Sequence, residues 1–215
     1  MRVLIVLTYY RPHTSGLTIY AERLARGLVR RGHEVTILTS HYKRTLAYEE
    51  HMDGVHVVRV PVLFRISKGV IMPTFGFQAW KWVGWADAIS LHLPQFDAAG
   101  VALRGRLLGK PTVLTYHCDL KLPPGLFNSI VNQVVHGMNK LAGRFSHRVV
   151  AYTEDFATHS PYLQRFADKR VIIPPPVELP EMTDSGIVAF EKMYNPRHRH
   201  PVIGMAARLA AEKGV

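Results

Sequence analysis

Residues 2–39 read RVLIVLTYYRPHTSGLTIYAERLARGLVRRGHEVTILT, and this stretch decides the predicted fold. The apolar run Met1–Thr8 shows no polar alternation, which is typical of a strand buried on both faces. Residues Gly16–Arg31 place apolar and small side chains on one helical face and arginines on the other, and Gly32 stands where glycine commonly ends a helix. His33–Thr39 is a second apolar run. Together they indicate a right-handed βαβ unit.

The alternation of strand and helix continues along the chain to residue 173. Further strands are predicted at Val55–Val60, Ala88–Leu91, Pro111–Tyr116, His147–Ala151 and Val171–Ile173, and helices at Ala98–Leu108, Leu126–Phe145 and Glu154–Phe166. Repeated alternation of this kind predicts an α/β fold with a doubly wound, Rossmann-like parallel sheet.

The sequence changes in character after residue 173. Residues 174–200 are rich in proline and charge and carry a short polar helical piece at Ile187–Met193, which is typical of a linker between domains. Residues 201–215 then read as a strand, a small-residue turn and the start of a helix. The sequence therefore predicts one complete domain, a linker and the beginning of a second α/β unit.

Charge is the strongest compositional signal. With 27 Lys and Arg against 16 Asp and Glu, the chain of 215 residues has a formal net charge of +11. Such a charge favours an anionic partner, for example a phosphate-bearing small molecule or an acidic membrane surface, although a merely soluble surface explains it equally well. The basic residues are dispersed and match no nucleic-acid recognition module, so nucleic acid is not predicted as a partner.

Cysteine content and hydropathy bear on the location of the protein. The single cysteine, Cys118, allows no disulfide within the chain, which is consistent with a reducing cytoplasm. No apolar run reaches the roughly 18 residues of a membrane-spanning helix. We therefore expect a cytoplasmic protein, with peripheral attachment to the inner face of the membrane as a further hypothesis.

Open parallel sheets bind ligands at the carboxyl ends of their strands, and polar residues follow several of the predicted strands. After the first strand, Ser15 is placed to cap the next helix, and Gly16 leaves the backbone amides at the helix N-terminus accessible, which favours phosphate. The alternative is a capped helix without a ligand. Thr153 is likewise predicted to cap a helix that begins at Glu154.

Two histidines stand close to predicted strand ends. His117 follows the strand Pro111–Tyr116, where an imidazole can hydrogen-bond a sugar hydroxyl or a phosphate, and Asp119 can orient it or bind a hydroxyl. His92 either touches a substrate or is a loop histidine satisfied by local contacts. Cys118 is interpreted as a small buried residue. No spacing of His, Cys, Asp or Glu indicates a metal site.

The order and spacing of several motifs resemble a family 4 (group 1) glycosyltransferase. These motifs are Arg2–Val6, Tyr10-Arg11-Pro12 with the Ser15-Gly16 turn, Ala21–Leu28, Arg31–Thr39, Thr115-Tyr116-His117, Val171–Pro174, and Gly204 with Arg208-Leu209 and Glu212-Lys213-Gly214. The resemblance implies a retaining enzyme of the GT-B fold, with one Rossmann-like domain for the acceptor and one for the nucleotide-sugar donor. Residues 1–175 would then form the acceptor-binding domain, 176–200 the linker and 201–215 the first part of the donor domain.

The resemblance also implies roles for individual residues in a metal-independent hexosyltransferase. His117 would be the catalytic residue at the transferring sugar. The donor phosphates would contact Ser15, Gly16, Arg208 and Lys213, and the acceptor would contact His13, His92, Asp119, Thr153 and Glu154. No cofactor is implied, and the substrates would be a nucleotide sugar, such as a UDP- or GDP-sugar, and a lipid, polysaccharide or small-molecule acceptor. Because the family's donor-binding glutamate pair would lie beyond Val215, the chain is expected to be inactive alone.

Other functions stay open on the sequence. A nucleotide-sugar epimerase of the same fold uses histidine and acidic residues in the same cleft, and a non-catalytic polyanion- or membrane-binding module would use the positive charge. The amphipathic helix Leu126–Phe145 is predicted to pack on the sheet, whereas the apolar segment Leu63–Phe77 is assigned either to covering the core or to contacting a membrane.

Overall fold

The computed structural model describes residues 1–66, 69–120, 125–179 and 181–194. Its strands are β1 (Arg2–Val6), β2 (Glu34–His41), β3 (Glu49–Met52), β4 (Val55–Pro61), β5 (Phe64–Ile66), β6 (Gly69–Ile71), β7 (Ala88–Leu93), β8 (Thr112–Tyr116), β9 (Arg148–Ala151) and β10 (Arg170–Ile172). Its helices are α1 (Gly16–Arg30), α2 (Phe75–Trp85), α3 (Ala98–Leu107), α4 (Leu126–Phe145), α5 (Glu154–His159), α6 (Pro161–Gln164) and α7 (Asp184–Tyr194).

The described strands form one large sheet in the order β10-β9-β8-β7-β1-β2-β4-β3 and a separate β5–β6 hairpin. Neighbours in the large sheet pair in parallel except β3, which pairs antiparallel with β4 at the edge. The chain runs outward from β1 through β2 to β4, and returns to the other side of β1 with β7. The predicted doubly wound sheet is therefore confirmed, and its strand order reverses between β1 and β7, where such folds bind ligands.

Both faces of the sheet are covered, which explains why β1 is an unbroken apolar run. Val3 and Ile5 pack in a core cluster with Ala21 and Ala25 of α1. The alternate side chains of β1 point to the opposite face, where Leu4 belongs to a second cluster that includes residues of α2 and α3. A strand with two buried faces has no solvated side on which polar residues are favoured.

The chain divides into two compact units, Met1–Val177 and Glu178–Val215. In the second unit, the described residues form α7, which contains the predicted helical piece Ile187–Met193 and has no buried residue. The strand and helix start predicted at 201–215, with Arg208 and Lys213, lie outside the described residues. The domain and linker boundaries drawn from the sequence stay predictions.

Helix α2 and strand β3 were not predicted from the sequence. Strand β3 is short and polar, and it is held by backbone pairing to β4 across the turn at Asp53 and Gly54, where φ is 52° and 77°. An Asp-Gly pair between two strands is a strong hairpin signal. Helix α2 lies in an aromatic, glycine-containing stretch of weak helix propensity. Its buried positions Phe75, Ala79 and Trp82 are nevertheless spaced as on one helical face.

The single helix predicted at Glu154–Phe166 is wrong, because the chain breaks at Ser160. Helix α5 ends at His159, and Pro161 begins α6. Proline has no backbone N–H and disfavours a helical conformation for the residue before it, so it begins a helix and does not continue one. The side chain of Ser160 accepts a hydrogen bond from the backbone N–H of Leu163 and caps the second helix.

Helix α4 has the predicted bounds, but its predicted packing on the sheet holds only for its second half. Its buried residues are Asn139, Ala142 and Gly143, whereas Leu126 and Phe127 are 84% and 63% exposed. A helix of 20 residues is about 30 Å long, whereas the neighbouring strand β8 of 5 residues spans only about 17 Å. This difference in length lets the first turns of α4 extend past the sheet. No helix in the described part of the chain is long and apolar enough to span a membrane.

Candidate active site

Four side chains meet where β7, β8 and β9 end at the carboxyl edge of the sheet. Ser90 and His92 lie two residues apart in β7 and therefore point to the same face. His117 follows β8 directly, and Tyr152 follows β9 directly. These strands are neighbours in the sheet, which brings residues far apart in sequence into contact. We call Ser90, His92, His117 and Tyr152 the histidine relay.

The relay is a continuous chain of hydrogen bonds. Ser90 Oγ lies 3.3 Å from His92 Nε2, and His92 Nδ1 lies 2.9 Å from His117 Nε2. The other ring nitrogen of His117, Nδ1, is hydrogen-bonded to the hydroxyl of Tyr152. The ring of Tyr20, from α1, stands edge-on to His117 with 5.1 Å between centroids. Both nitrogens of His117 are therefore occupied by side chains of the protein.

Burial keeps both imidazoles neutral. His92 is fully buried, and desolvation, with a smaller contribution from the neighbouring His117, holds its pKa well below the usual value. Desolvation lowers the pKa of His117 to about 4. Burial raises the pKa of the Tyr152 phenol, with a smaller effect of Tyr20 in the same direction. At neutral pH the relay is therefore an uncharged chain of hydrogen-bonding groups.

A neutral imidazole has one N–H donor and one acceptor nitrogen, so the relay has two consistent arrangements. In the first, His92 Nδ1–H donates to His117 Nε2, and His117 Nδ1–H donates to the Tyr152 oxygen. In the second, every bond is reversed, and the Tyr152 hydroxyl donates to His117. The relay can thus present Tyr152 as either a donor or an acceptor, without any charged group.

His92 and Asp119 occupy positions that differ from those expected. His92 was expected to be either a substrate contact or a loop histidine satisfied by local contacts, but it lies inside β7 and is fully buried against His117. Asp119 does not orient His117: its Oδ1 accepts hydrogen bonds of 2.9 Å from both the Tyr116 hydroxyl and Ser160 Oγ. Orientation of the His117 ring belongs instead to His92 and Tyr152. The interpretation of Cys118 as buried is wrong, because it lies in the loop after β8 and is exposed.

The two predicted helix caps are confirmed. Ser15 Oγ accepts a hydrogen bond of 3.2 Å from the backbone N–H of Thr18, and Thr153 Oγ1 accepts one of 3.1 Å from that of Phe156. Gly16 is exposed, and a Cβ added to it would meet no atom within 4 Å. The N-terminus of α1 thus has open space beside it. Contact of Ser15 and Gly16 with a phosphate stays a prediction.

The remaining expected acceptor residues lie in two different places. His13 stacks on Tyr9 with 4.9 Å between ring centroids, in the loop after β1. Glu154 is at the start of α5, where it forms an ion pair of 3.2 Å with Arg170. Among the described residues, no three His, Cys, Asp or Glu side chains are grouped so that they could hold a metal ion.

Ser90, Tyr20 and Tyr152 were missed as members of the site. Tyr152 had a usable signal, because it directly follows a predicted strand at the ligand-binding edge. Ser90 had a weaker one, because it shares a strand face with His92. Tyr20 had none, because only the fold brings α1 beside β7 and β8.

A family model described as Glycosyl transferase 4-like domain matches residues 15–176. The chain belongs to this family. The matched range contains the whole histidine relay and both confirmed helix caps. A segment of 61 residues, 28% of this chain and 15% of the other protein, is also 43% identical to an uncharacterized glycosyltransferase, MJ1607, of Methanocaldococcus jannaschii. The resemblance noted in the sequence is therefore confirmed at the level of the family.

Solved structures match this glycosyl transferase 4-like chain in fold. HepE (Alr3699) of Anabaena, solved in complex with UDP, matches 100% of this chain and 55% of its own chain, at 17% identity and a TM-score of 0.67. Sucrose-phosphate synthase of Thermosynechococcus elongatus matches 80% of this chain and 47% of its own, at 15% identity and a TM-score of 0.53. UDP-GlcNAc 2-epimerase of Methanocaldococcus jannaschii matches 81% of this chain and 46% of its own, at 12% identity and a TM-score of 0.51. The chain spans about half the length of these proteins, and its fold is that of one half of a GT-B glycosyltransferase.

Proposed function

We propose that this chain is the acceptor-binding half of a retaining, metal-independent hexosyltransferase that uses a nucleotide sugar. The observation that carries the proposal is the histidine relay, which lies at the ligand-binding edge of a glycosyl transferase 4-like domain. The UDP in the HepE structure supports a uridine nucleotide as one donor to be tried first. The proposed acceptor is a lipid, a polysaccharide or a small molecule.

The proposed reaction exchanges one bond at the anomeric carbon of the donor sugar. An acceptor oxygen bonds to that carbon, the bond from the carbon to the nucleotide diphosphate breaks, and the acceptor's proton leaves with the diphosphate. Arg208 and Lys213, which lie outside the described residues, are proposed to stabilise the charge on this leaving group. The N-terminus of α1, at Ser15 and Gly16, adds backbone N–H groups and a positive dipole end for the same phosphates.

His117 and Tyr152 are proposed to hold the transferring sugar by neutral hydrogen bonds, His117 by exchanging its bond to the Tyr152 hydroxyl for one to a sugar hydroxyl. A cation at this position would repel the positive charge that develops on a sugar as its leaving group departs, and the lowered pKa of His117 prevents that charge. His92 does not reach substrate in this proposal, because it is fully buried; it positions the His117 ring. His13, Asp119, Thr153 and Glu154 stay proposed acceptor contacts.

The test is sugar transfer by the natural full-length protein. A panel of UDP- and GDP-sugars is incubated with mixed acceptors, and release of the nucleotide is measured. His117→Gln should lower kcat by roughly 10²-fold or more, whereas Cys118→Ser, an exposed neighbour outside the relay, should leave it within about twofold. Equal rates in the wild type and His117→Gln would contradict the proposed role. The 215-residue chain by itself is expected to transfer no sugar. Detectable transfer by it would contradict the proposal that this half binds the acceptor and that the second domain binds the donor.

The epimerase alternative is separated by the same assay. An epimerase converts its nucleotide sugar without an acceptor and without forming a new glycosidic bond. The fold does not decide between the two, because an epimerase is among the structures that match it. Product analysis showing an altered sugar still attached to the nucleotide would favour that alternative.

A further inference from the structure

A cationic cavity lies at the amino edge of the sheet, opposite the histidine relay. Helix α3 ends just before β8, α4 just before β9 and the 3₁₀ turn Ala167–Lys169 just before β10, and these three strands are neighbours. A cavity of about 560 Å³ opens there, which we call the basic cavity. Because β8 spans about 17 Å, the basic cavity is separate from the proposed substrate site. It is lined by four cations, one carboxylate and a phenyl ring: Arg106, Arg144, Arg165, Lys169, Asp168 and Phe166.

The arginines of the basic cavity are not paired with acidic side chains. Elsewhere in the chain arginines do form such pairs, as Arg170 does with Glu154 at 3.2 Å. The carboxylate of the cavity, Asp168, forms no ion pair with the arginines in the described part of the chain. The guanidinium groups without a carboxylate partner among the described residues belong to Arg106, Arg144 and Arg165.

The fourth cation, Lys169, is held in place by the backbone. Its Nζ donates hydrogen bonds to the carbonyls of Arg144, at 3.1 Å, and Ser146, at 2.8 Å. An ammonium group has three N–H donors, so one is left without a partner in the described part of the chain. Burial lowers the pKa of Lys169, and Asp168 opposes this effect. The neighbouring Arg106 and Arg144 lower that pKa further, as expected when like charges share one cavity.

Helix dipoles explain only part of this concentration of charge. Cations are favoured in the last turn of a helix, because its carboxyl end carries about half a negative charge. Arg106 and Arg144 lie in the last turns of α3 and α4. These two helix ends together offset about one positive charge, and Asp168 offsets another. About two positive charges are left, which favours a ligand with two or more negative charges.

We propose that the basic cavity binds a compact phosphoanion, either free diphosphate or a small soluble molecule with two neighbouring phosphoryl groups. Guanidinium groups donate paired N–H bonds to phosphate oxygens, and a tetrahedral phosphate accepts such bonds from several directions. Arginines from α3, from α4 and from the end of α6, arranged around a fixed ammonium, supply donors from several directions. This second anion site goes beyond the proposed function and does not depend on it.

The test determines by calorimetry how many pyrophosphate ions the full-length protein binds. Each arginine is expected to contribute about tenfold to the affinity, so the double variant Arg106→Gln with Arg144→Gln should bind one ion fewer per chain than the wild type. Ions held at a donor site are the same in both proteins and do not affect this difference. The matched control Arg148→Gln removes an exposed cation at the same edge, which donates to the His147 carbonyl and does not line the cavity. It should keep the ion with an affinity within about twofold.

A gain of affinity keeps the test decisive if the double variant does not fold. Asp168→Asn removes the carboxylate of the cavity and no cation, so it should tighten binding of the same ion about threefold. Damage to the fold does not produce such a gain. An affinity for pyrophosphate that is unchanged or weaker in Asp168→Asn would contradict the proposal.

The size of the ligand is tested with orthophosphate. It should bind at the basic cavity at least about tenfold more weakly than pyrophosphate, because it reaches fewer of the cations. Equal affinities for the two ions would overturn the proposal in favour of contact with a single arginine.

Two other results would also overturn this site. Equal weakening of pyrophosphate binding in Arg148→Gln and in the double variant would show a diffuse positive field without a defined cavity site. An unchanged number of bound ions in the double variant, together with loss of its flotation on phosphatidylglycerol vesicles, would show that the arginines contact a membrane surface. Absence of sugar transfer would count against the proposed function alone, because the bound ions are measured without donor or acceptor.

Discussion

Neutrality of His117 predicts a specific loss of stability in acid. An unfolded histidine titrates near pH 6.5, whereas burial lowers the pKa of His117 to about 4 in the folded protein. Between these values the unfolded chain binds a proton that the folded chain does not. Stability from this group is therefore complete above pH 6.5 and falls as the pH is lowered toward 4.

The magnitude follows from the width of that window. Each pH unit inside it changes the free energy of unfolding by about 1.4 kcal/mol per group, so by pH 5 the contribution of His117 amounts to about 2 kcal/mol. His92 acts in the same direction, because its pKa is also lowered by burial. Asp97 acts in the opposite direction, because burial raises its pKa to about 6. The absolute pH profile therefore mixes several groups, and only a comparison with a variant isolates His117.

The assay is urea denaturation of the wild type and of His117→Gln between pH 7.5 and pH 5. Glutamine keeps hydrogen-bonding capacity but does not titrate, so the stability advantage of the wild type over this variant should shrink by about 2 kcal/mol across the range. The control Tyr152→Phe removes the hydrogen bond to Nδ1 and keeps the imidazole, so it should retain most of the wild-type pH dependence. Parallel curves for wild type and His117→Gln would refute the reasoning, as would nitrogen NMR showing that His117 is protonated at pH 6.

Three further predictions concern stability. Asp97→Asn should increase the free energy of unfolding at pH 8 relative to that at pH 4 by roughly 2–3 kcal/mol compared with the wild type. Burial raises the pKa of the Asp97 carboxyl to about 6, so this group stabilises the fold below its unfolded pKa and loses that contribution as the pH rises through about 6. Denaturation of both proteins at the two pH values measures the difference. Ser15→Ala should cost about 1 kcal/mol in the same assay through loss of the α1 cap, and no change would mean that the cap is replaced by water. Gly143→Ala should lower the melting temperature, because a Cβ there would lie 2.4 Å from the buried Phe166 ring. The control Gly137→Ala, on the open side of α4, should raise the melting temperature slightly, because alanine favours the helix more than glycine does. A higher melting temperature for both variants would show that the Phe166 contact can relax.

The sheet was predictable because its signals are local and repeat. The βαβ unit at Arg2–His41 is marked by an unbroken apolar strand, a capped amphipathic helix and a glycine turn, and each of these is visible within a few residues. Strand β3 and helix α2 were harder for opposite reasons. Strand β3 is stabilised by backbone pairing and not by apolar side chains, and α2 is so rich in aromatic residues that its buried face does not contrast with the rest.

The histidine relay was predictable only in part, because it is a property of strand order. His117 could be singled out as a polar residue at the end of an apolar strand. Its pairing with His92 requires β7 and β8 to be neighbours in a register that sets His92 beside Thr115, and alternation of strands and helices does not by itself specify that register. The buried partner then changes the chemistry, since it occupies Nε2, while desolvation lowers the pKa of His117 and keeps the ring neutral.

The amphipathic sequence of helix α4 does not by itself specify what packs against its apolar face. Its amphipathic pattern predicts one apolar face, and the same pattern suits a helix packed on a sheet, a helix on a membrane or the wall of a groove. The length of the helix relative to β8 excludes packing on the sheet for the first half, because residues beyond the sheet edge have no sheet to cover. What then lies against this apolar face is set by its surroundings: on one side Gln95, whose amide has no hydrogen-bond partner in the described part of the chain, and on the other Lys140 with Arg165. A purely apolar partner would cover this face but would leave the buried Gln95 amide unpaired.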